Sequence, residues 1–89
     1  MEKRFVVTAV NGIHARPATI IVNEAFKFKC DLELGVDGVF VDLKSIMGVM
    51  SLGVYSNKII TIVAKGIDEE QALEGITNVL KTQKLAKEL

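Results

Sequence analysis

The residues that could do chemistry are concentrated in one segment, "NGIHARPATI", which runs from Asn11 to Ile20. It contains the only histidine of the chain, His14, and the only proline, Pro17, with Arg16 between them. A neutral imidazole keeps one nitrogen lone pair and is nucleophilic near neutral pH. Arginine can hold a phosphate through two parallel hydrogen bonds. These residue types together suit a histidine that accepts a phosphoryl group.

The flanking patterns predict that His14 lies in a loop between a strand and a helix. "FVVTAV" has the composition of a strand, and the apolar residues after the loop follow helical spacing. Pro17 suits the first helical turn, where its missing N–H costs nothing. A helix start exposes unpaired N–H groups and partial positive charge, which attract anions. Gly12 would permit a tight turn, and Asn11 could cap the helix or donate a hydrogen bond.

A plainer interpretation explains the same residues. His14 would be an ordinary loop residue, Pro17 would only start a helix, and Arg16 would be solvated. The pattern H-x-R-P is four residues long and occurs by chance, so spacing alone favours this interpretation. One histidine and the distant Cys30 cannot supply a usual metal-ligand set, and we expect neither a metal nor a cofactor.

The rest of the chain predicts the element order β-α-β-β-α-β-α. "DLELGV" alternates like a half-buried strand, and Asp37-Gly38 is a strong two-residue hairpin signal. Ser45 is a candidate N-cap for the short apolar segment "IMGVM". "IITIVA" reads as a fourth strand, and Asp68 with Gln71 resembles a capping box before a long helix. Short connections and one-sided strands favour an α+β fold with an antiparallel sheet and helices on one face.

Composition excludes several functional classes. The chain has 89 residues, which predicts one domain over residues 1–89, and its 11 basic and 11 acidic side chains cancel. A balanced charge argues against direct binding to nucleic acid or a membrane surface. The strand-like start and the lack of a long apolar segment argue against a signal peptide or a membrane span, and the single cysteine predicts a reducing cytosol.

The pair of motifs "GIHARPA" and "LKSIMGVMSLG" resembles the HPr family, the small phosphocarriers of the bacterial sugar phosphotransferase system. The likeness covers essentially the whole chain. It implies an open-faced sandwich in which three helices cover one face of a four-stranded antiparallel sheet. It also implies a phosphoryl carrier rather than an enzyme.

The resemblance further implies the roles of the residues in the first motif. His14 would take a phosphoryl group on Nδ1 from phosphorylated enzyme I, whose donor is phosphoenolpyruvate, and pass it to sugar-specific IIA domains. Arg16 would neutralise the phosphate, and amides near Arg16 and Ala18 would bind it. The implied phosphate-binding loop comprises Asn11, Gly12, Ala15, Pro17 and Ala18.

The second motif resembles the HPr of low-GC Gram-positive bacteria. There the serine equivalent to Ser45 is the target of HPr kinase/phosphorylase, although an N-cap alone also explains a serine here. The resemblance implies that Ile46, Met47 and Met50 form a patch that docks enzyme I, IIA domains and the kinase. A catabolite-control transcription regulator is a further implied partner when Ser45 is phosphorylated. A cytoplasmic monomer is the expectation for the family.

Three rival functions and one unusual feature stay open from the sequence. The rivals are an HPr-related regulator, an acylphosphatase-like enzyme and a ferredoxin-like metal carrier. Such regulators lose the active histidine, which this chain keeps, and the chain has no C-x-x-C pair for a metal. The hairpin around Val36, Val39 and Phe40 is more apolar than the family suggests, which indicates an altered surface or a dimer contact.

Overall fold

The chain forms three helices and five strands in a computed structural model that describes residues 1–89. The elements follow in the order β1 (Glu2–Val7), α1 (Ala15–Ala25), β2 (Asp31–Val36), β3 (Val39–Asp42), α2 (Ile46–Ser51), β4 (Ile59–Lys65), α3 (Glu69–Thr82) and β5 (Ala86–Glu88).

All five strands join one antiparallel sheet in the order β3-β2-β4-β1-β5. Alternation along β2 buries Leu32, Leu34 and Val36 and exposes Asp31 and Glu33, as the sequence predicted. The same alternation in β1 and β4 directs apolar side chains to one face, where they meet the apolar stripes of the helices in one core of 23 residues. The other face of the sheet is open.

The prediction of a four-stranded sheet is wrong, because β5 adds a fifth strand alongside β1. After α3, Lys84 adopts a left-handed conformation with φ 55°, and the Leu85 N–H donates to the Leu80 carbonyl at 2.8 Å. This is a Schellman motif. Glycine usually occupies its left-handed position, and Lys84 occupies that position here. After this reversal, β5 has only three residues and one buried side chain. That is too few to show the alternation of apolar and polar residues that predicts a strand.

The predicted capping box at α3 is also wrong. Asp68 is the N-cap residue, but its side chain does not cap the helix. Its carboxylate instead accepts the N–H groups of Lys29 and Cys30 at 2.8 and 2.9 Å, two donors with no other acceptor. These bonds, that to Lys29 foremost, hold the pKa of Asp68 below its ordinary value. Asp68 therefore ties α3 to the connection before β2, which a local pattern cannot reveal.

The apolar hairpin has a local structural role. Asp37 and Gly38 have φ of 52° and 81°, as the predicted two-residue turn requires. Phe40 lies opposite Gly35 on the open face, and a Cβ on Gly35 would collide with the Phe40 ring. Val36 is buried. An aromatic ring that covers a strand glycine accounts for part of the unusual hydrophobicity.

Candidate functional site

A tight turn and one backbone bridge fix the loop that precedes His14. The Gly12 N–H donates to the Ala9 carbonyl at 2.9 Å and closes the turn. The next residue, Ile13, donates its N–H to the Val54 carbonyl at 2.9 Å and forms an isolated antiparallel bridge. Both side chains of this bridge are buried. The residue immediately before His14 is therefore held by the core.

Gly12 is required by both its conformation and its surroundings. Its φ of +69° lies in the left-handed region, and a Cβ there would collide with the Val54 carbonyl oxygen. The backbone at Val54 therefore lies closer to Gly12 than a side chain at position 12 would allow. The turn closed by the Gly12 N–H confirms the expected tight turn, whereas the close approach of Val54 was not predicted.

His14 is the N-cap residue of α1 and has extended backbone angles. Its side chain is exposed and makes no hydrogen bond within the protein. Its carbonyl accepts the Ala18 N–H at 2.7 Å, so Ala18 is already engaged in the helix. The N–H groups of Ala15 and Arg16 donate to no acceptor in the protein, and Pro17 has none. Two unpaired donors therefore stand directly beside the imidazole.

The charge at this helix start is positive and uncompensated. Arg16 is exposed, forms no ion pair or hydrogen bond, and has no acidic residue beside it in the first turn. A cation here opposes the helix dipole, so helix stability does not explain its presence. Asn11 is exposed, and its side chain makes no hydrogen bond, so it does not cap α1. Together these features attract an anion.

The second motif forms α2, which packs against α1. Ser45 is its N-cap, and the hydroxyl accepts the Gly48 N–H at 3.0 Å, which confirms the predicted cap. Val49 faces the core. The side chains of Ile46, Met47 and Met50 remain 42%, 84% and 38% exposed, so the patch proposed for docking is open to a partner.

Tyr55 also lies beside the loop that precedes His14, at Gly12, a position that the sequence did not predict. The bridge of Ile13 with Val54 sets Tyr55 beside Gly12 and sets Gly53 across from His14. The Tyr55 ring folds back over Gly53. No spacing pattern signals this contact, because the two segments lie far apart in the chain; the only available hint was that Tyr55 is the single tyrosine.

The structure offers no enclosed pocket at His14. Its four surface cavities are lined by other residues, none of them between Ala9 and Ala25 or in α2. No three His, Cys, Asp or Glu side chains are grouped as metal ligands. Burial raises the pKa of the Cys30 thiol, as expected of a small buried residue without chemistry of its own. No helix is both long and apolar enough to span a membrane.

We predict that Gly12→Ala destabilises the protein more than Gly38→Ala does. Both glycines have positive φ, so alanine is strained at either position by about 1–2 kcal/mol. Only Gly12 adds a collision with backbone, because nothing lies within 4 Å of a Cβ at Gly38. Chemical denaturation of the two variants measures the difference. Equal losses would show that the approach of Val54 to Gly12 does not restrict this loop.

Comparison with known proteins agrees with this arrangement. Residues 1–82 match the family model for the PTS HPr component phosphorylation site. The fold is similar to the histidine-containing phosphocarrier protein of a mycoplasma, with TM-score 0.95, 32% identity, and coverage of 98% of this chain and 99% of that one.

Two further HPr structures are similar as well. Phosphocarrier protein HPr of Bacillus anthracis has TM-score 0.83 and 43% identity, with coverage of 89% and 94% of the two chains. An HPr dimer of Thermoanaerobacter tengcongensis has TM-score 0.75 and 39% identity, with coverage of 81% and 83%. On this sequence match and these structural similarities, the chain belongs to the HPr family, the phosphocarrier proteins of the sugar phosphotransferase system.

Proposed function

We propose that His14 is the phosphoryl acceptor and that the chain carries the group from phosphorylated enzyme I to sugar-specific IIA domains. The observation that carries the proposal is an exposed imidazole beside two unpaired helix N–H groups and an unpaired arginine. The Nδ1 lone pair attacks phosphorus while the bond from phosphorus to the donor atom of enzyme I breaks, and its electron pair stays on that donor atom. The reverse step delivers the group to a IIA histidine.

The proposed phosphate-binding loop stabilises the product without enclosing it. A phosphoryl group adds up to two negative charges, which the start of α1 and Arg16 attract. The N–H groups of Ala15 and Arg16 have no acceptor in the protein and would donate to phosphoryl oxygens. In this proposal Asn11 and Gly12 belong to the turn that leads to His14, and Pro17 and Ala18 belong to the first turn of α1 that follows it. Because the site is exposed, the next protein can reach the phosphorus.

The absence of a cavity at His14 favours a carrier over the acylphosphatase-like alternative. An enzyme acting on a small molecule needs a concave site that holds its substrate. A carrier needs only an exposed acceptor and a surface on which partner proteins dock. Acceleration then comes from positioning within the complex rather than from a site on this chain alone.

We propose that the docking surface is the patch of Ile46, Met47 and Met50, and that enzyme I, IIA domains and HPr kinase/phosphorylase share it. Exposed methionines adapt to several partners because their side chains are flexible and polarisable. The bridge between Ile13 and Val54 joins the residue before His14 to the segment that follows α2, and a partner bound to the patch would also cover His14. The chain would act as a single domain and a monomer in the cytoplasm.

We propose that Ser45 is a regulatory phosphorylation site. Gly53 lies eight positions after Ser45, on the other side of the six-residue helix α2, which corresponds to roughly 12 Å. A phosphate on Ser45 would therefore stand at the far edge of the docking patch rather than on His14. Its negative charge would meet any partner that buries Ile46 or Met47, and would present a new surface to a transcription regulator.

The transfer prediction concerns His14 and Arg16. Wild-type protein incubated with enzyme I, Mg²⁺ and phosphoenolpyruvate should gain the mass of one acid-labile phosphate. His14→Ala should fold normally and gain none, because the acceptor nitrogen is gone. Arg16→Ala should keep its melting temperature but accept phosphate at least about tenfold more slowly, since a charge-assisted contact is lost. An acid-labile phosphate on His14→Ala would disprove the assignment.

The regulatory prediction concerns Ser45. Protein phosphorylated on Ser45 should accept the phosphoryl group from enzyme I more slowly, mainly through a weaker encounter, and Ser45→Asp should show a smaller effect because it carries one charge. Ser45→Ala should retain transfer and lose about 1 kcal/mol of stability with its cap. The measurement is a titration of enzyme I kinetics with each form. Identical kinetics for unmodified and phosphorylated protein would leave Ser45 as a cap only.

A further inference from the structure

We propose that Tyr55 is an additional phosphate-binding residue, whose hydroxyl donates a hydrogen bond to the phosphoryl group on His14. This inference rests on the proposed function, since it needs a phosphoryl group at that position. The residue lies outside both sequence motifs, and it enters the site only through the fold.

Backbone pairing brings Tyr55 to the site. In the antiparallel bridge, Ile13 is opposite Val54, so the neighbours on either side are also set against each other. A Cβ on Gly12 would lie 3.0 Å from the Tyr55 Cα, which shows how closely these two residues approach. By the same pairing Gly53 lies across from His14.

The Tyr55 ring then extends from Gly12 towards the position opposite His14. Its Oη lies 3.4 Å, and Cζ and Cε2 each 3.6 Å, from the position that a Cβ on Gly53 would occupy. Gly53 has no side chain, so the tip of the ring takes the space that a side chain opposite His14 would fill. The tyrosine hydroxyl is thereby brought to the His14 side of the loop.

The Tyr55 hydroxyl is available for a ligand. It takes part in none of the side-chain hydrogen bonds of the protein, and the residue is 63% exposed. A phenolic O–H is a good donor, and phosphoryl oxygens are strong acceptors. Arg16, in contrast, belongs to the first turn of α1. Tyr55 would thus hold the phosphoryl group on the side opposite the start of α1.

The test compares wild type with Tyr55→Phe, which keeps the ring over Gly53 and removes only the hydroxyl. Each protein is equilibrated with catalytic enzyme I, Mg²⁺ and a fixed ratio of phosphoenolpyruvate to pyruvate, and the phosphorylated fraction is measured by mass spectrometry. Loss of a hydrogen bond made only in the phosphorylated state should lower the ratio of phosphorylated to free protein by roughly three- to tenfold. The melting temperatures of the unphosphorylated proteins should agree.

A second measurement uses the fact that Tyr55 is the only tyrosine of the chain. When tyrosine is labelled at Cζ alone, wild type gives one labelled NMR signal, and this signal should move when His14 is phosphorylated. Equal equilibrium ratios for wild type and Tyr55→Phe, within twofold, would overturn the role of Tyr55 and leave the His14 proposal intact, whether or not the signal moves. If wild type itself takes up no phosphate on His14, the proposed function fails, and this inference fails with it.

Discussion

The bridge between Ile13 and Val54 is the contact on which the arrangement around His14 depends. One N–H···O bond of 2.9 Å and two buried side chains join the loop after β1 to the chain leaving α2. The loop that leads through His14 into α1 is therefore tied to the segment that follows α2. Gly12 allows the contact, because its backbone lies where a side chain would strike Val54. A short loop alone would not hold His14 in a defined position.

The site combines attraction for phosphate with full access to solvent. Burial would strengthen the hydrogen bonds to a phosphoryl group, but it would also keep the next protein from reaching phosphorus. The start of α1 and an unpaired Arg16 instead stabilise charge at an exposed position. A carrier needs this balance, since its phosphohistidine must survive diffusion and still react. In the proposed regulation, a phosphate on Ser45, at the opposite end of α2, would alter the docking of partners without touching His14.

Local signals in the sequence predicted the parts of the fold that depend on neighbouring residues. Pro17 in the first turn of α1, the Asp37-Gly38 turn and the Ser45 cap are all found where the patterns put them. Contacts between distant segments could not be predicted. Asp68 binds backbone donors before β2, and β5 follows a helix ending without the usual glycine. For His14, spacing alone favoured an ordinary loop residue, and the paired motifs of the family gave the phosphoryl hypothesis. The position of Tyr55 beside Gly12 depends on a bridge between distant segments, so only the fold reveals it.

Amide hydrogen exchange is the most direct test of the claim that the start of α1 holds the phosphoryl group. Exchange at Ala15 and Arg16 is measured by NMR in the free protein and again while enzyme I and phosphoenolpyruvate keep His14 phosphorylated. Both amides lack an acceptor in the free protein, so we predict fast exchange that slows by at least about tenfold on phosphorylation. Ala18, already bonded to the His14 carbonyl, should change little. Unchanged exchange at both Ala15 and Arg16 in fully phosphorylated protein would contradict the account.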